Sequence, residues 1–345
     1  MARIGRLVKA TTFSLVLLLL LGSERAAQSR SAPLLKSPAP SLQPTTTEDL
    51  QTKARQIIFE GLADSNPQIR ANAVEIVATT RDIRLMPKVQ KLLADEIVPV
   101  RFAAALAVGD LEYALARDNV GSLLNDPNPN IQIAASYAMF RLGNPEHYEV
   151  LRRSLDSQDQ TVRANAALLL GKCGKQEGIA LLYETLQRND SSEKVIAQAV
   201  EAIAMLRDPR IYSLLWTRLI SAYVEDRVSG IRGMCALGTP DAKSAMVTML
   251  KDPVPEVRLV AAEQLGKLGD PTGEREVLAI IDKNFPSDSP QGQSQVKMLA
   301  ALAMGEIGAP AVTKHLPSLL KDKSKGVRLA AAKAVLRSTT KGLLP

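Results

Sequence analysis

The sequence predicts an all-α protein, an α-α superhelix made of about nine two-helix repeats. Three observations predict this fold. A short motif centred on a basic residue recurs about every 31 residues, and the apolar residues inside each copy follow helical spacing. No segment shows the period-two alternation of β-branched and aromatic residues that strands need, and aromatic residues make up only 3% of the chain.

The recurrence extends from about Glu48 to the end of the chain. Most steps between copies are 31 residues, with one step of 33 and one of 39. The nine anchor positions are Arg70, Arg101, Gln132, Arg163, Ile196, Arg227, Arg258, Lys297 and Arg328. Because no single unit of this size can bury its own apolar face, such a period predicts stacked units that share one core.

Each unit is predicted to contain two helices. After Arg258, the residues Ala261, Leu265 and Leu268 form an apolar stripe, and the segment "GDP" ends that helix because proline cannot continue it. The segment "PDAKSAMVTMLKD" carries a similar stripe and supplies the other helix. The surplus of the 39-residue step falls in "NFPSDSPQG", which predicts a protruding loop between the two helices of that unit.

The repeated pattern Asp-Pro-x-x-x-Val-Arg, then Ala-Ala and Leu-Gly-Asp-Pro, resembles the short HEAT-like repeat of the type named after the phycobilisome lyases. The resemblance covers nearly everything after Glu48 and implies a helical solenoid. It leaves the function open, because this repeat occurs in lyases, hydroxylases, glycosylases and adaptors.

The first 47 residues have a different character. Within residues 1–29, three basic residues precede the apolar run "FSLVLLLLLG", as in a secretory signal peptide. This run is too short to span a membrane, so we expect export to the periplasm or beyond and no stable membrane insertion after cleavage. Residues 30–47 are rich in Pro, Ser and Thr and predict a flexible tether, and Thr45 with Glu48 predicts a capping box where the solenoid of residues 48–345 begins.

The net charge of +7 belongs mainly to this leader. Residues 1–47 hold six of the 43 basic residues and one of the 36 acidic residues, so the solenoid carries a net charge of only +2. A protein of this size that binds nucleic acid usually has a basic stripe on one face. The charge balance therefore argues against a nucleic-acid partner.

Two columns of ionisable residues recur with the repeat. Six residues before the anchor lie the aspartates, which are Asp64, Asp95, Asp126, Asp190, Asp252 and Asp322. A catalytic site is built once from unlike groups, so we interpret these columns as structural. Each aspartate is expected to accept backbone N–H groups at a helix start, and each arginine to reach carboxylates or carbonyls of its own or the neighbouring turn.

The sequence shows few residues of the types and spacing that catalysis or cofactor binding requires. The two histidines lie in different repeats without the His-Glu pairs of related iron hydroxylases, and no cluster of Cys, His and acidic residues suits a metal. Cys173 and Cys235 are two repeats apart, which argues against a disulfide, and Trp216 is interpreted as a core residue. We therefore expect no catalytic residue, no metal and no cofactor, and favour a protein that is not an enzyme.

The remaining candidate is a binding patch on the second helices. In the fifth position after the anchor, repeats two to four carry large apolar residues where most other repeats carry charge, and in the first position repeats two and three carry Phe102 and Ile133. The sequence predicts that these side chains are exposed on the concave face and bind a partner. The candidate patch is Phe102, Leu106, Ile133, Tyr137 and Leu168.

Two functional hypotheses follow. The first is an exported, non-catalytic scaffold that binds a protein partner along its concave face. The second, which the family resemblance implies, is a lyase-like or chaperone-like subunit that acts on a tetrapyrrole-bearing protein. The predicted leader favours the first hypothesis, because the lyases of this resemblance work in the cytosol.

Overall fold

A computed structural model describes residues 46–341, and within this range the chain is an all-helical α-α superhelix without strands. The predicted signal peptide and all but the last two residues of the predicted tether lie outside the described residues. No helix in the described range has the length and apolar character needed to cross a membrane.

Each of the nine repeats places an outer helix before an inner helix, and from the second repeat onward the outer helix is the shorter of the two. The outer helices are α1 (Thr47–Gly61), α3 (Met86–Lys91), α5 (Arg117–Ser122), α7 (His147–Ser154), α9 (Gly178–Gln187), α11 (Tyr212–Leu219), α13 (Pro240–Thr248), α15 (Glu274–Asp282) and, in the last repeat, α17 (Pro310–Thr313) with α18 (Leu316–Leu319). The inner helices are α2 (Pro67–Thr80), α4 (Val98–Leu111), α6 (Pro129–Arg141), α8 (Gln160–Cys173), α10 (Glu193–Met205), α12 (Val224–Leu237), α14 (Pro255–Lys267), α16 (Pro290–Ile307) and α19 (Lys325–Lys341). Short 3-10 turns flank several outer helices.

Helix starts follow the local sequence. In α6, Asn128 accepts a hydrogen bond from the Asn130 backbone N–H, and Pro129 occupies the first helical position, where its missing N–H costs nothing. The capping box that opens α1 lies one residue later than predicted, because Thr46 and Asp49 exchange the two bonds.

The Arg and Asp columns form a ladder that ties each repeat to the next, which confirms their structural interpretation. Arg227 donates two hydrogen bonds to the Asp252 carboxylate at 2.7 and 3.1 Å, and it also donates to the Ser221 carbonyl of its own turn at 3.1 Å. Asp252 in turn accepts the Val254 N–H at 2.9 Å. The same bonding between an anchor and the next aspartate occurs for Arg70–Asp95, Arg101–Asp126, Arg163–Asp190 and Lys297–Asp322.

Neighbouring inner helices pack very closely where one of them carries glycine. A Cβ built on Gly171 of α8 would lie 2.6 Å from the Ala202 Cα of α10, closer than two carbon atoms can approach. Gly109 of α4 faces Tyr137 of α6 in the same way, at 2.7 Å from ring atom Cε1. These glycines let the backbones approach and tighten the inner wall of the superhelix.

The superhelix closes on itself. Helix α19 of the last repeat packs against α1 and α2 of the first, with Leu329 against Gly61 and an ion pair of 2.7 Å between Lys325 Nζ and Asp64 Oδ2. We call this packing of the last repeat against the first the closure contact. Arg328, the anchor of the last repeat, donates hydrogen bonds to the carbonyls of Asp322 and Lys323. The concave face is therefore the wall of a central lumen.

The extra residues of the 39-residue step form a longer inner helix as well as the predicted loop. Residues 284–289 do connect α15 to α16, with Asn284 and Phe285 in left-handed backbone conformations. The rest of the surplus lengthens α16, which begins at Pro290, seven residues before its anchor Lys297, whereas α14 begins three residues before Arg258. Ser289 caps this longer helix by accepting the Gly292 N–H at 3.0 Å.

Candidate binding surfaces

The five residues of the predicted concave patch are buried, so the expectation that they are exposed is wrong. Between 0% and 7% of each side chain is accessible for the set Phe102, Leu106, Ile133, Tyr137 and Leu168. Their positions on the inner helices face the helix of the adjacent repeat and not the solvent. A partner could touch them only if neighbouring inner helices separated.

Tyr137 shows the physical reason. Its ring lies over Gly109 of the preceding inner helix, and its hydroxyl donates a 2.6 Å hydrogen bond to Asp110 Oδ1. Burial, reinforced by the neighbouring Asp110 carboxylate, raises the pKa of Tyr137 well above its ordinary value. Asp110 also pairs with Lys172 at 3.0 Å, two repeats further on, which shows how strongly the inner wall curves. The residue is a core aromatic with a satisfied polar end.

Charged side chains occupy the fifth position after the anchor in five of the nine repeats. These are Glu75, Glu201, Arg232, Glu263 and Lys333. Lys267 reaches Glu263 at 3.0 Å, and Lys333 approaches Glu75 to 4.0 Å between the last and the first repeat. Glu75 also interacts electrostatically with Arg232 of the sixth repeat, so charges from distant repeats meet at this level of the ring.

The pKa values of the glutamates in this column shift in opposite directions. Burial opposes the ionisation of Glu263, but Lys267, Lys333 and Arg232 together hold its pKa at about 2. For Glu201, burial outweighs the attraction of Arg232, Lys172 and Lys267 and raises the pKa. Burial likewise raises the pKa of Glu75, although Lys333 opposes this. The inner wall thus contains one glutamate whose ionised form is stabilised and two whose ionised form is destabilised.

An exposed apolar ridge lies on the outer side of repeat six. Tyr212, Trp216 and Ile220 follow each other at four-residue spacing along and just beyond α11, and Tyr223 lies in the turn before α12. Trp216 is 39% exposed, Ile220 68% and Tyr223 71%. The rings of Tyr212 and Trp216 stack with centroids 6.4 Å apart, which fixes the Trp216 side chain. We call these four residues the repeat-six ridge.

Repeat six departs from the other repeats at these positions. Seven residues before the anchor, where Ile220 lies, the other regular repeats carry small or polar residues, namely Ala63, Ala94, Asn125, Asp156, Asn189, Lys251 and Lys321. Large apolar residues are therefore absent from this position in the other regular repeats.

Tyr223 occupies the N-cap position of its inner helix without making a side-chain cap bond. Asn66, Asn128, Asp159 and Ser192 do make that bond in their repeats. Ile97 and Val254 also occupy N-cap positions without making a side-chain cap bond. Those two side chains pack against the core, whereas Tyr223 is exposed. A cap substitution of this kind costs about 1 kcal/mol. Tyr223 thus contributes neither a cap nor core packing.

The exposure of Trp216 corrects its interpretation as a core residue. The sequence did contain a signal, because Ile220 lies where the other regular repeats carry small or polar residues, and Tyr223 lies where four repeats carry a capping residue. What the sequence could not show is that Trp216 remains 39% exposed.

Metal and thiol chemistry have little geometric basis in the described part of the chain. No group of three or more His, Cys, Asp or Glu side chains that could hold a metal ion occurs among residues 46–341. Cys173 and Cys235 are free thiols, and burial raises the pKa of Cys173 to about 12, so its reactive thiolate is disfavoured.

Sequence comparisons agree with the fold. The family described as "HEAT repeats" matches residues 153–228, and the family described as "HEAT repeat" matches residues 244–270. These matches place HEAT repeats within the all-helical superhelix.

Individual proteins similar to this chain include several with repeat folds. An uncharacterized phycocyanin operon protein Z of Pseudanabaena tenuis is 24% identical over 163 residues, which are 45% of this chain and 80% of that protein. The complex of CpcE and CpcF of phycocyanin lyase from Nostoc is similar with 19% identity and a TM-score of 0.43, covering 73% of this chain and 99% of that one. Human deoxyhypusine hydroxylase is similar with 16% identity and a TM-score of 0.37, covering 84% and 98%.

Proposed function

We propose that this chain is a non-catalytic scaffold that binds a protein partner through the repeat-six ridge. The observation that carries the proposal is the exposure of Trp216, Ile220 and Tyr223 side by side, in a turn where other repeats place small, polar or core-packed residues. Large aromatic side chains with a polar end are enriched among residues that dominate binding energy.

The ridge also indicates the chemistry of its partner. The Trp216 indole N–H and the Tyr223 hydroxyl require hydrogen-bond partners once the apolar surface is covered. Glu225, two residues beyond Tyr223, is exposed and has no ion pair within residues 46–341. The proposed partner surface is therefore an apolar cleft with hydrogen-bond acceptors and a basic side chain at its rim.

The first test compares capture by two double variants. Trp216→Ala with Ile220→Ser removes the ridge, and Ile83→Ser with Leu115→Ala removes two apolar side chains that are exposed elsewhere on the outer surface. Proteins retained by the wild type and by the control, and lost from the ridge variant, are then purified and titrated. We expect the ridge variant to lose about 2 kcal/mol of binding, roughly thirtyfold in Kd. Equal affinity of the ridge and control variants for the purified protein would contradict the proposal.

We also propose that the chain is exported, on the basis of the n-region and apolar run in residues 1–29. The mature N-terminus should then lie between about Glu24 and Ala32, and N-terminal sequencing of the protein from its native host measures this directly. A native protein in the cytosol that still begins near Met1 would contradict export.

The alternative function is a lyase-like or chaperone-like subunit that acts on a tetrapyrrole-bearing protein. The similarity to a phycocyanin operon protein favours keeping it. Adding a bilin to the purified chain and recording its absorbance spectrum distinguishes the two functions, because a scaffold without tetrapyrrole contacts leaves the spectrum unchanged.

A further inference from the structure

The junction between repeats five and six differs from the other junctions of the ring. Its anchor position holds Ile196, which cannot donate a side-chain hydrogen bond, and Ser221 lies where the next repeat would supply the accepting aspartate. Within residues 46–341, no side-chain hydrogen bond or ion pair joins α9 or α10 of repeat five to α11 or α12 of repeat six. We call the contact between these two pairs of helices the repeat-five seam.

Each of the other eight junctions has at least one side-chain hydrogen bond or ion pair between repeats. Between repeats three and four, where Gln132 also interrupts the ladder, the Asn165 amide donates to Asn130 Oδ1 at 2.9 Å. The bonds at the remaining junctions are Arg70–Asp95, Arg101–Asp126, Arg163–Asp190, Arg227–Asp252, Arg258–Glu276, Lys297–Asp322 and, in the closure contact, Lys325–Asp64. The repeat-five seam therefore lacks a restraint that the other junctions of the described ring have.

The repeat-five seam also lacks the close approach that glycine allows. Glycine lies eight positions after the anchor in repeats two, four, seven and eight, and a Cβ built there would lie under 3.0 Å from the next inner helix. Repeat five carries Ala204 at this position. The glycines of α12 face their own outer helix instead, since Gly230 lies against Leu219 and Gly233 against Leu215. Helix α12 is thus packed closely against α11, without the same contact to α10.

Apolar packing and two longer-range attractions hold the seam together. The Arg210 guanidinium lies 5.0 Å from the centroid of the Tyr183 ring. The charge of Arg232 attracts Glu201 across the seam. Such contacts depend weakly on direction, whereas the paired hydrogen bonds of an arginine with a carboxylate fix an orientation. The repeat-five seam can therefore rotate with less loss of contact energy than a ladder junction.

The closure contact lies across the ring from this seam. Repeats one to five lie on one path between the two, and repeats six to nine lie on the other. The closure contact joins the two ends of the repeat array, so no peptide connection crosses it, whereas residues 206–208 connect repeats five and six. Its ion pair is accessible, because 45% of the Lys325 side chain is exposed, and exposed pairs contribute little in water. The closure contact can thus separate, whereas the seam can only bend.

We infer that the ring is a clamp with its hinge at the repeat-five seam and its gate at the closure contact. Repeats one to five form one arm and repeats six to nine the other, and the bonds between repeats keep each arm rigid. Separation of α19 from α1 and α2 opens a side entrance to the lumen. Because Leu329 also packs against Gly61, the open form is the minor state of the wild type. The inference does not rest on the proposed partner binding, because it uses no property of the repeat-six ridge.

Distances between pairs of spin labels on the full-length chain test the clamp. The labels occupy exposed positions five residues before the anchors, and each pair spans two junctions. Glu96→Cys with Lys323→Cys spans the closure contact. Gln158→Cys with Ala222→Cys spans the seam, and the matched control, Glu96→Cys with Gln158→Cys, lies within one arm.

A change of charge opens the gate. Lys325→Glu replaces the closure ion pair with two negative charges and should increase the open fraction about fivefold or more. In the unchanged chain, about 1 M salt should also increase it by screening the pair. Lys251→Glu is the matched control, since Lys251 is exposed and makes no ion pair within the described residues, and it should leave all three distances unchanged. All labelled chains carry Cys173→Ala and Cys235→Ala, and circular dichroism verifies that each is folded.

Opening should add a longer distance to the closure pair and change the distance of the seam pair, while the control pair keeps one narrow distance. Three results would overturn the inference. The first is a closure pair that keeps a single distance both in Lys325→Glu and at high salt. The second is a seam pair that stays unchanged while the closure pair lengthens. The third is a control pair that changes as much as the seam pair does.

Discussion

The inner wall of repeats two to four and the outer side of repeat six use similar side chains in opposite ways. Tyr137 on the inner wall is fully buried because the preceding inner helix presents Gly109 beneath its ring. Trp216 on the outer side stacks on Tyr212 of its own helix and remains 39% exposed. A large apolar residue therefore stabilises the fold where another element packs over it, and it is available to a partner where it remains exposed.

The largest expected effect follows from this contrast. Tyr137→Ala should lower the free energy of unfolding by about 3–5 kcal/mol, because it leaves a cavity between two inner helices and removes one of the hydrogen bonds to Asp110. Trp216→Ala should change it by less than about 1 kcal/mol. Denaturant titrations of both variants measure the difference.

Tyr137→Phe separates packing from hydrogen bonding at the same site. It keeps the ring over Gly109 and removes only the hydroxyl, so the loss should be about 1–3 kcal/mol. If Tyr137→Ala proved as mild as Trp216→Ala, the burial of the predicted concave patch would be in doubt and its role in binding would regain support.

A second contrast lies within the inner wall, between two glutamates of the same column. The folded-state pKa of Glu263 is about 2, below its ordinary value of 4.5, so this group adds stability above that value which is lost as the pH falls towards 2. Glu263→Gln should therefore cost about 3 kcal/mol at pH 7 and nearly nothing near pH 2.

Glu201 should show the opposite sign. Its folded-state pKa is raised by burial, so the ionised form at pH 7 opposes folding, and this cost is absent below the ordinary value of 4.5. Glu201→Gln should therefore increase the melting temperature at pH 7 and leave it unchanged at pH 4 and below. A loss of stability on Glu201→Gln at pH 7 would show that the carboxylate has a partner.

The ladder between repeats gives a third, smaller effect. Arg227→Ala leaves the buried Asp252 carboxylate without its two hydrogen bonds and should cost about 1–3 kcal/mol. The matched control is Arg84→Ala, whose side chain is mostly exposed although it pairs with Asp82, and it should cost less than about 1 kcal/mol. Similar losses at both sites would mean that the ladder stabilises the stack no more than a surface ion pair does.

Much of this architecture could be predicted from the sequence because it repeats. The nine units, their helical nature and the roles of residues such as Arg227 and Asp252 follow from columns that agree in unit after unit. The closure contact could not be predicted, because it depends on a small rotation between repeats that accumulates over nine units. The burial of Tyr137 depends on Gly109, which lies 28 positions earlier in the chain and faces it only after stacking.

The candidate site was partly visible in the same columns. Aligning the repeats shows that Tyr223 replaces a capping residue and that Ile220 replaces a small or polar one. The importance of these departures depends on exposure, however, since Ile97 and Val254 depart in the same column and are absorbed by the core. Neither propensity nor periodicity distinguishes these cases, because each depends on which elements cover the turn.

The smallest expected effect on stability is also the one that tests function most directly. Tyr223→Asn should raise the free energy of unfolding by about 0.5–1 kcal/mol, because asparagine at this position can accept a backbone N–H of α12, as Asn128 does at the start of α6. The same change should weaken capture of the partner, because it removes an aromatic side chain from the ridge. Val254→Asn offers a matched comparison, since it also introduces a cap but removes core packing, and it should leave capture unchanged. Melting curves and titration with the purified partner measure the two properties separately. A more stable Tyr223→Asn variant that captured its partner as well as the wild type would mean that the repeat-six ridge is not the binding surface.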